Sequence, residues 1–212
     1  ETWYAGDEVA AVVAVDEETA RRALALIEVE YEPLPVVSDP EAALLPGSPL
    51  SRLDLPSNVA HHIELERGDI ALGFQQAAVI HEETYTVQHQ YQAYLEPQAA
   101  AAWWRNGRLT VWAPHQSARQ LSNAMIKAFG ITLSKIRFIQ TVVGGGFGGK
   151  NNMHLCPIVA VLAKMAGAPV RVMLDREEDF IGSMPAVPMV IKVRMGLDAG
   201  GHITAKETRL IA

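Results

Sequence analysis

Residues 143–151 read VGGGFGGKN, five glycines around one phenylalanine, followed by Lys150 and Asn151. On the N-terminal side, Lys135 to Val143 (KIRFIQTVV) carries the β-branched and aromatic residues of a strand. On the C-terminal side, from about His154, the apolar run LCPIVAVLAKMAG has helical length and a closing Gly167. The expected order is strand, glycine turn, helix. Glycine lets backbone amides approach a ligand closely. A helix N-terminus adds unpaired N–H groups and the positive end of the dipole. Such an arrangement suits an anion, most often phosphate or pyrophosphate; the plain alternative is a tight turn with no ligand.

Working outward, Ser117 to Phe129 predicts a helix ending at Gly130, and Asn106-Gly107 predicts a hairpin between strands at Ala99–Trp104 and Leu109–Trp112. Trp103 and Trp104 alternate faces, so at most one is core. Ile70 to Ala78 suggests a short helix and Val79 to Gln90 a strand; His61 to Glu66 alternates weakly. Downstream, Val170–Leu174 and Met189–Met195 read as strands, and Asp198–Gly201 as a turn before a strand from His202. Near the start, 9–15 (VAAVVAV) reads as a buried strand, Asp16 as the N-cap of a helix over 17–27, and Val29–Tyr31 as a returning strand. Val9, Val12, Val13, Leu24, Ile27 and Val29 would form the core of that small module. Residues 38–58, rich in Pro, Ser, Asp and Leu, read as a linker. The fold class is α+β: a small partial module, then a mixed α/β module with antiparallel hairpins and the glycine-rich strand-turn-helix.

Composition narrows the function classes. In 212 residues, 49% are hydrophobic and the net charge is −6, so a sizeable core is possible and a basic nucleic-acid footprint is absent. The lone cysteine, Cys156, has no internal disulfide partner and cannot by itself ligate an iron–sulfur cluster. A reducing compartment, and hence a cytoplasmic location, is expected. No stretch has the length of a membrane-spanning helix. His61, His62 and His89 show no metal-ligand spacing, so no metal site is assigned to this chain's side chains. Glu1 stands where a methionine would open a complete chain, and both ends read as cut from a longer polypeptide.

Three patterns overlap in the glycine stretch. Gly144, Gly146 and Gly149 fit G-x-G-x-x-G, the dinucleotide fingerprint, although a hairpin-rich region precedes it and Asp175 falls late for a ribose-binding acid. Gly144 to Lys150 fit the P-loop, but Asn151 replaces the Ser/Thr that holds magnesium. The third pattern is a molybdenum cofactor loop.

That third pattern extends along most of the chain. VGGGFGGK resembles the molybdopterin-binding loop of the xanthine dehydrogenase/aldehyde oxidase family. Gly6 to Tyr31 followed by EPLP is similar to the second half of that family's hammerhead domain. Gly68-Asp69 with Phe74 and Ala77-Ala78 resembles the entry to its molybdopterin domain. Tyr94-Leu95-Glu96-Pro97, Trp112 to Gln116 (WAPHQ) and Arg171 to Asp179 (RVMLDREED) resemble further segments, in the right order. The resemblance implies three parts: residues 1–45 as the C-terminal part of a hammerhead domain, 46–58 as a linker, and 59–212 as the N-terminal part of a molybdopterin-binding domain.

The resemblance also implies roles. Gln116 would place its side-chain amide beside the metal's apical oxo group, since an amide donates a hydrogen bond without adding charge. Gly145, Gly146 and Phe147 would bring backbone N–H groups to the cofactor, with Gln116 and Phe147 at the reacting centre. Glu96 would lie close to the pocket, with no chemical step assigned; read on its own it is a strand-end acid paired with a cation. Lys150 reads as structural or anion-facing, and Phe147, read on its own, as an ordinary core plug. Asn151 departs from xanthine-oxidising members, which often carry a glutamate there that orients a purine. The implied cofactor is molybdopterin, plain or as the cytosine dinucleotide. Iron–sulfur clusters and FAD are expected on other domains or subunits. The implied partners are those units, the remainder of the large subunit, a small-molecule substrate and further copies in an oligomer, with neither nucleic acid nor membrane. The chain alone is expected to be inactive.

Overall fold

The computed structural model describes residues 2–151 and 155–212. The chain groups into two compact units, one made of residues 1–30 with 91–186 and the other of 31–90 with 187–212.

The first unit is built on a four-stranded sheet. Strands β2 (Ala99–Arg105) and β3 (Arg108–Ala113) form the expected hairpin; Asn106 and Gly107 both have positive φ (50° and 71°), the twist that suits a two-residue connection. Strand β4 (Ile136–Gln140) runs parallel to β3, and β5 (Val170–Met173) runs antiparallel to β2, giving the order β4-β3-β2-β5. Helices α4 (Ala118–Phe129) and α5 (Leu155–Ala166) share one core with the sheet. Alternation decides which residues face them. Ala100 and Ala102 on β2, and Leu109, Val111 and Ala113 on β3, are buried together with Leu121 and Met125 of α4 and Val159, Ala160 and Ala163 of α5. Trp104 falls on this face and donates from Nε1 to the Ala160 carbonyl at 2.8 Å, whereas Trp103 lies on the other face under Arg105. Helix α4 stops at Gly130, whose φ of 60° is the left-handed closing conformation. Helix α6 (Arg176–Gly182) opens with a capping box between Asp175 and Glu178.

In the second unit, β1 (Val79–Val87), β6 (Met189–Leu197) and β7 (Ile203–Ile211) form an antiparallel sheet in the order β1-β6-β7. Helix α3 (Ile70–Gln75), capped by Asp69, packs closely enough on β7 that a Cβ on Gly73 would lie 2.4 Å from the Thr204 carbonyl oxygen.

Several expectations are corrected. Residues 9–15, 29–31 and 61–66 form no strand. A strand needs a partner for its backbone groups, and among the described residues none pairs with these. The expected small core is not assembled: Val9, Val13, Leu24, Ile27 and Val29 are each at least 40% exposed. Asp16 does cap a helix, accepting from the Thr19 N–H at 2.8 Å, but α1 is shorter than expected (Glu17–Leu24). The stretch 38–58 carries local order. Asp39 caps the short helix α2 (Pro40–Ala43), and the Asn58 side chain joins Ala43 O, Pro49 O and Ser51 N. Strand β4 ends at Gln140, short of Val143, because Thr141 N makes the last bond to Ala113 O and Val142 turns to solvent. The expected helix start at His154, and the strand context of Glu1, lie outside the described residues.

Two outcomes test this core. Leu109 is fully buried, so Leu109→Ala should lower the unfolding free energy by about 3 kcal/mol in urea titration. Burial pushes the Cys156 thiol up to about 12 from its ordinary 9.0. Its contribution to stability is therefore complete below pH 9 and is lost as pH rises toward 12. At pH 8 native Cys156 should resist iodoacetamide and react only after unfolding.

Candidate cofactor site

The glycine stretch leaves β4 as an irregular turn whose backbone amides can be accounted for one by one. Gly144 N donates to Glu96 Oε2 at 2.7 Å. Gly148 N and Lys150 N both donate to Gln116 Oε1, at 3.2 and 3.1 Å. Gly149 N donates to Gly146 O and Asn151 N to Gly148 O, at 2.8 and 3.2 Å. The remaining three are consecutive. Among the described residues the N–H groups of Gly145, Gly146 and Phe147 have no partner.

Gln116 reaches this turn from the chain that follows β3. Its backbone N donates to Lys150 O at 3.1 Å, and its side-chain oxygen holds the two loop amides. That fixes the carboxamide through oxygen and leaves its Nε2 donors without a partner among the described residues. The contact depends on glycine: a Cβ on Gly146 would lie 2.6 Å from both Cδ and Oε1 of Gln116. Gly145 takes a φ of 96°, a conformation a side chain rarely adopts.

The structure thus brings Gln116, Gly145, Gly146 and Phe147 together, as expected. Phe147 corrects one reading: it is 75% exposed at a φ of 49°, and plugs no core. A bulky side chain with positive φ is costly, and such strain collects at ligand sites. Lys150 takes the structural role expected of it. Its ammonium is buried, 2.6 Å from Glu96 Oε2 and over the Tyr94 ring. It turns inward and is not the phosphate-reaching lysine of a P-loop. Glu96 is the cation-paired acid that the residue reading expected. No group of three or more His, Cys, Asp or Glu side chains that could hold a metal ion exists among the described residues.

A polar network under the turn went unread in the sequence. Asp179 is completely buried on α6. It accepts from Tyr91 OH, from Tyr94 OH at 3.3 Å, from Gln98 N at 3.1 Å and from Ser183 Oγ at 3.0 Å, and it pairs with Arg176 at 3.3 Å. Gln98 Nε2 reaches Tyr94 OH and Ser183 Oγ, each at 3.2 Å. Tyr94 in turn packs against Gly145, Gly149 and Lys150. The only sequence signal was the acidic run EED opening α6, which resembles a solvated helix start.

The donor set fits an oxygen-rich cofactor. Three unpaired N–H groups and one neutral amide converge on one turn, where any Cβ at Gly146 would displace Gln116.

Asp179→Ala should lower the unfolding free energy by roughly 3 kcal/mol in denaturant, because it strands buried donors. Burial, then the bond to Asp179, raises the Tyr91 phenol above its ordinary 10.0. Tyr91 therefore contributes stability that is complete below pH 10 and lost above it. In Tyr91→Phe the alkaline loss measured by urea midpoint should be smaller.

Comparison with known proteins agrees with this chemistry. Residues 52–212 match the family described as "Molybdopterin cofactor-binding domain", and residues 1–35 match "Aldehyde oxidase and xanthine dehydrogenase, a/b hammerhead domain". The chain is 35% identical over 210 residues to a probable xanthine dehydrogenase subunit of Bacillus subtilis (strain 168), covering 99% of this chain and 28% of the relative. It is 30% identical over 206 residues to the nicotinate dehydrogenase large molybdopterin subunit of Eubacterium barkeri, covering 97% and 48%. Among solved structures, quinoline 2-oxidoreductase from Pseudomonas putida 86 superposes with a TM-score of 0.84 at 28% identity, over 93% of this chain and 25% of that one. The chain thus spans between about a quarter and a half of the length of these proteins. With the match covering residues 52–212, this chain belongs to the molybdopterin cofactor-binding domain family of the aldehyde oxidase and xanthine dehydrogenase type.

Proposed function

We propose that this chain presents the molybdenum cofactor with the amides of Gly145, Gly146 and Phe147 and the side-chain amide of Gln116, in an oxidoreductase that oxidises a small substrate using water-derived oxygen. The substrate class is an aldehyde, an aromatic, an N-heterocycle or CO. One observation carries the reading: the only run of consecutive unpaired amides in the glycine turn lies beside the unpaired Nε2 of Gln116, among the described residues. The cofactor, as molybdopterin or its cytosine dinucleotide, supplies oxygen transfer and two-electron redox chemistry when bound. The chain's own residues bind and orient it. Gln116, held through Oε1 by two N–H groups, directs neutral donors to one point and adds no charge there. Phe147, 75% exposed, presents an apolar face beside the donors.

The proposal extends to the whole protein. Iron–sulfur clusters and FAD on other domains or subunits carry the electrons away, and the remainder of the large subunit completes the cofactor contacts. The assembly is a cytoplasmic oligomer; no helix among the described residues is long and apolar enough to cross a membrane. The division into a hammerhead part (1–45), a connection (46–58) and a molybdopterin-binding part (59–212) belongs to the same proposal. Asn151 offers no carboxylate where a purine-orienting glutamate stands in xanthine-oxidising members, so a non-purine substrate is favoured. The 212-residue chain alone should not turn over, since one turn and one glutamine supply only a few kcal/mol against a comparable cost of immobilising a ligand.

The test is co-expression with iron–sulfur and flavin partners in a host that makes the cofactor. Molybdenum per chain and dye reduction with an aldehyde, an N-heterocycle, CO and xanthine are then measured. Near-stoichiometric molybdenum and a non-purine preference are expected. Gln116→Ala and Gly146→Val should each reduce turnover at least about tenfold. Assembled protein without molybdenum, or micromolar binding of Mg-ATP, would sink the reading.

A further inference from the structure

The glycine turn has its two ends tied to one oxygen atom. Glu96 Oε2 accepts from Gly144 N at 2.7 Å, where the turn begins, and from Lys150 Nζ at 2.6 Å, where it closes. The tie at residue 144 is reciprocal, because Glu96 N donates to Gly144 O at 3.3 Å. It is also sterically exclusive: a Cβ on Gly144 would lie 2.5 Å from the Glu96 Cβ. We propose that Glu96 is a positioning residue that clasps the cofactor turn, holding Gly144 and Lys150 so that the amides between them, at Gly145, Gly146 and Phe147, stay unpaired and aligned. This inference rests on the cofactor reading of the turn.

The physical case is an accounting of donors. The turn carries amides that will close on themselves or on water unless the chain is held open. Gln116 occupies the amides at 148 and 150, and Glu96 occupies the one at 144. Between those anchors nothing in the described chain takes the next three. The charge of Glu96 matters as much as its shape. Lys150 is only 2% exposed, and a cation so buried requires its anion. Without Glu96 the ammonium would leave its place over Tyr94, and the Lys150 N–H on Gln116 would move with it. Glu96 itself touches no reacting atom in this account; it acts through the turn.

The experiment uses the assembled protein and three variants, Glu96→Gln, Glu96→Asp and Lys150→Met. Glu96→Gln keeps the shape and one acceptor but removes the charge, while Glu96→Asp keeps the charge on a stem one methylene shorter. Hydrogen exchange is read on peptides covering 141–151 and, as an internal reference, 99–113. Molybdenum per chain is read separately. Exchange at 141–151 should rise about tenfold or more in Glu96→Gln and in Lys150→Met, with no further rise when the two are combined. The reference peptides should not change, and molybdenum content should fall severalfold. Should Glu96→Gln fail to fold, Glu96→Asp reads the same exchange. Unchanged exchange at 141–151 overturns the clasp. An equal rise at 99–113 overturns it too, since that marks a residue of general stability only. A loosened turn that retains full molybdenum overturns the positioning role. Wild-type protein without molybdenum overturns the cofactor reading and the positioning role together, while the exchange result still decides whether the clasp exists.

Discussion

The site depends on a steric constraint: the absence of side chains at Gly144, Gly146 and Gly149. A Cβ at these positions would meet Glu96 at 2.5 Å, Gln116 at 2.6 Å and Gln92 or Tyr94 at 2.7 Å. The turn therefore lies directly on the side chains that hold it, with no layer between. Close approach lets a carboxylate and a carboxamide replace the partners that a regular strand or helix would have provided for the backbone. The glycines act here through the space they leave, and only Gly145 and Gly148 act through positive φ.

Support for that surface comes from charge buried in a chain of contacts. Asp179 collects donors from Tyr91, Tyr94, Gln98 and Ser183, and Arg176 pairs with it at the half-exposed end. Tyr94 transmits this to the turn by packing beneath Gly145 and under the Lys150 ammonium. Burying an acid and a lysine this way is costly unless each is paired; Asp179 has its four donors and Arg176, and Lys150 has Glu96 and the Tyr94 ring. Buried polar networks of this kind trade stability for one defined geometry.

The sheet explains why residues 96, 116 and 144 meet at all. The β2–β3 hairpin places the segment before β2 and the segment after β3 at the same end of the sheet. The parallel pairing of β4 with β3 brings the start of the turn to that end too. Ligand sites in such sheets gather where strands running the same way end together. The turn and Gln116 occupy that position within the first unit.

Much of this was legible in the sequence, for local reasons. Asn106-Gly107, Gly130 and Asp16 announced a hairpin, a helix end and a helix start, because turn and cap chemistry depends on residues a few positions apart. The glycine stretch announced a turn, and its motif order pointed to Gln116. What failed was equally physical. Residues 9–15 have strand composition, but a strand exists only through a partner, and composition names none. Phe147 is apolar, yet the positive φ of its turn holds it in solvent. Lys150 read as a cation that could face an anion. Only the folded chain decided that its anion is Glu96, 54 residues away, and that Asp179 sits buried among tyrosines, because long-range contacts are set by packing, not by spacing.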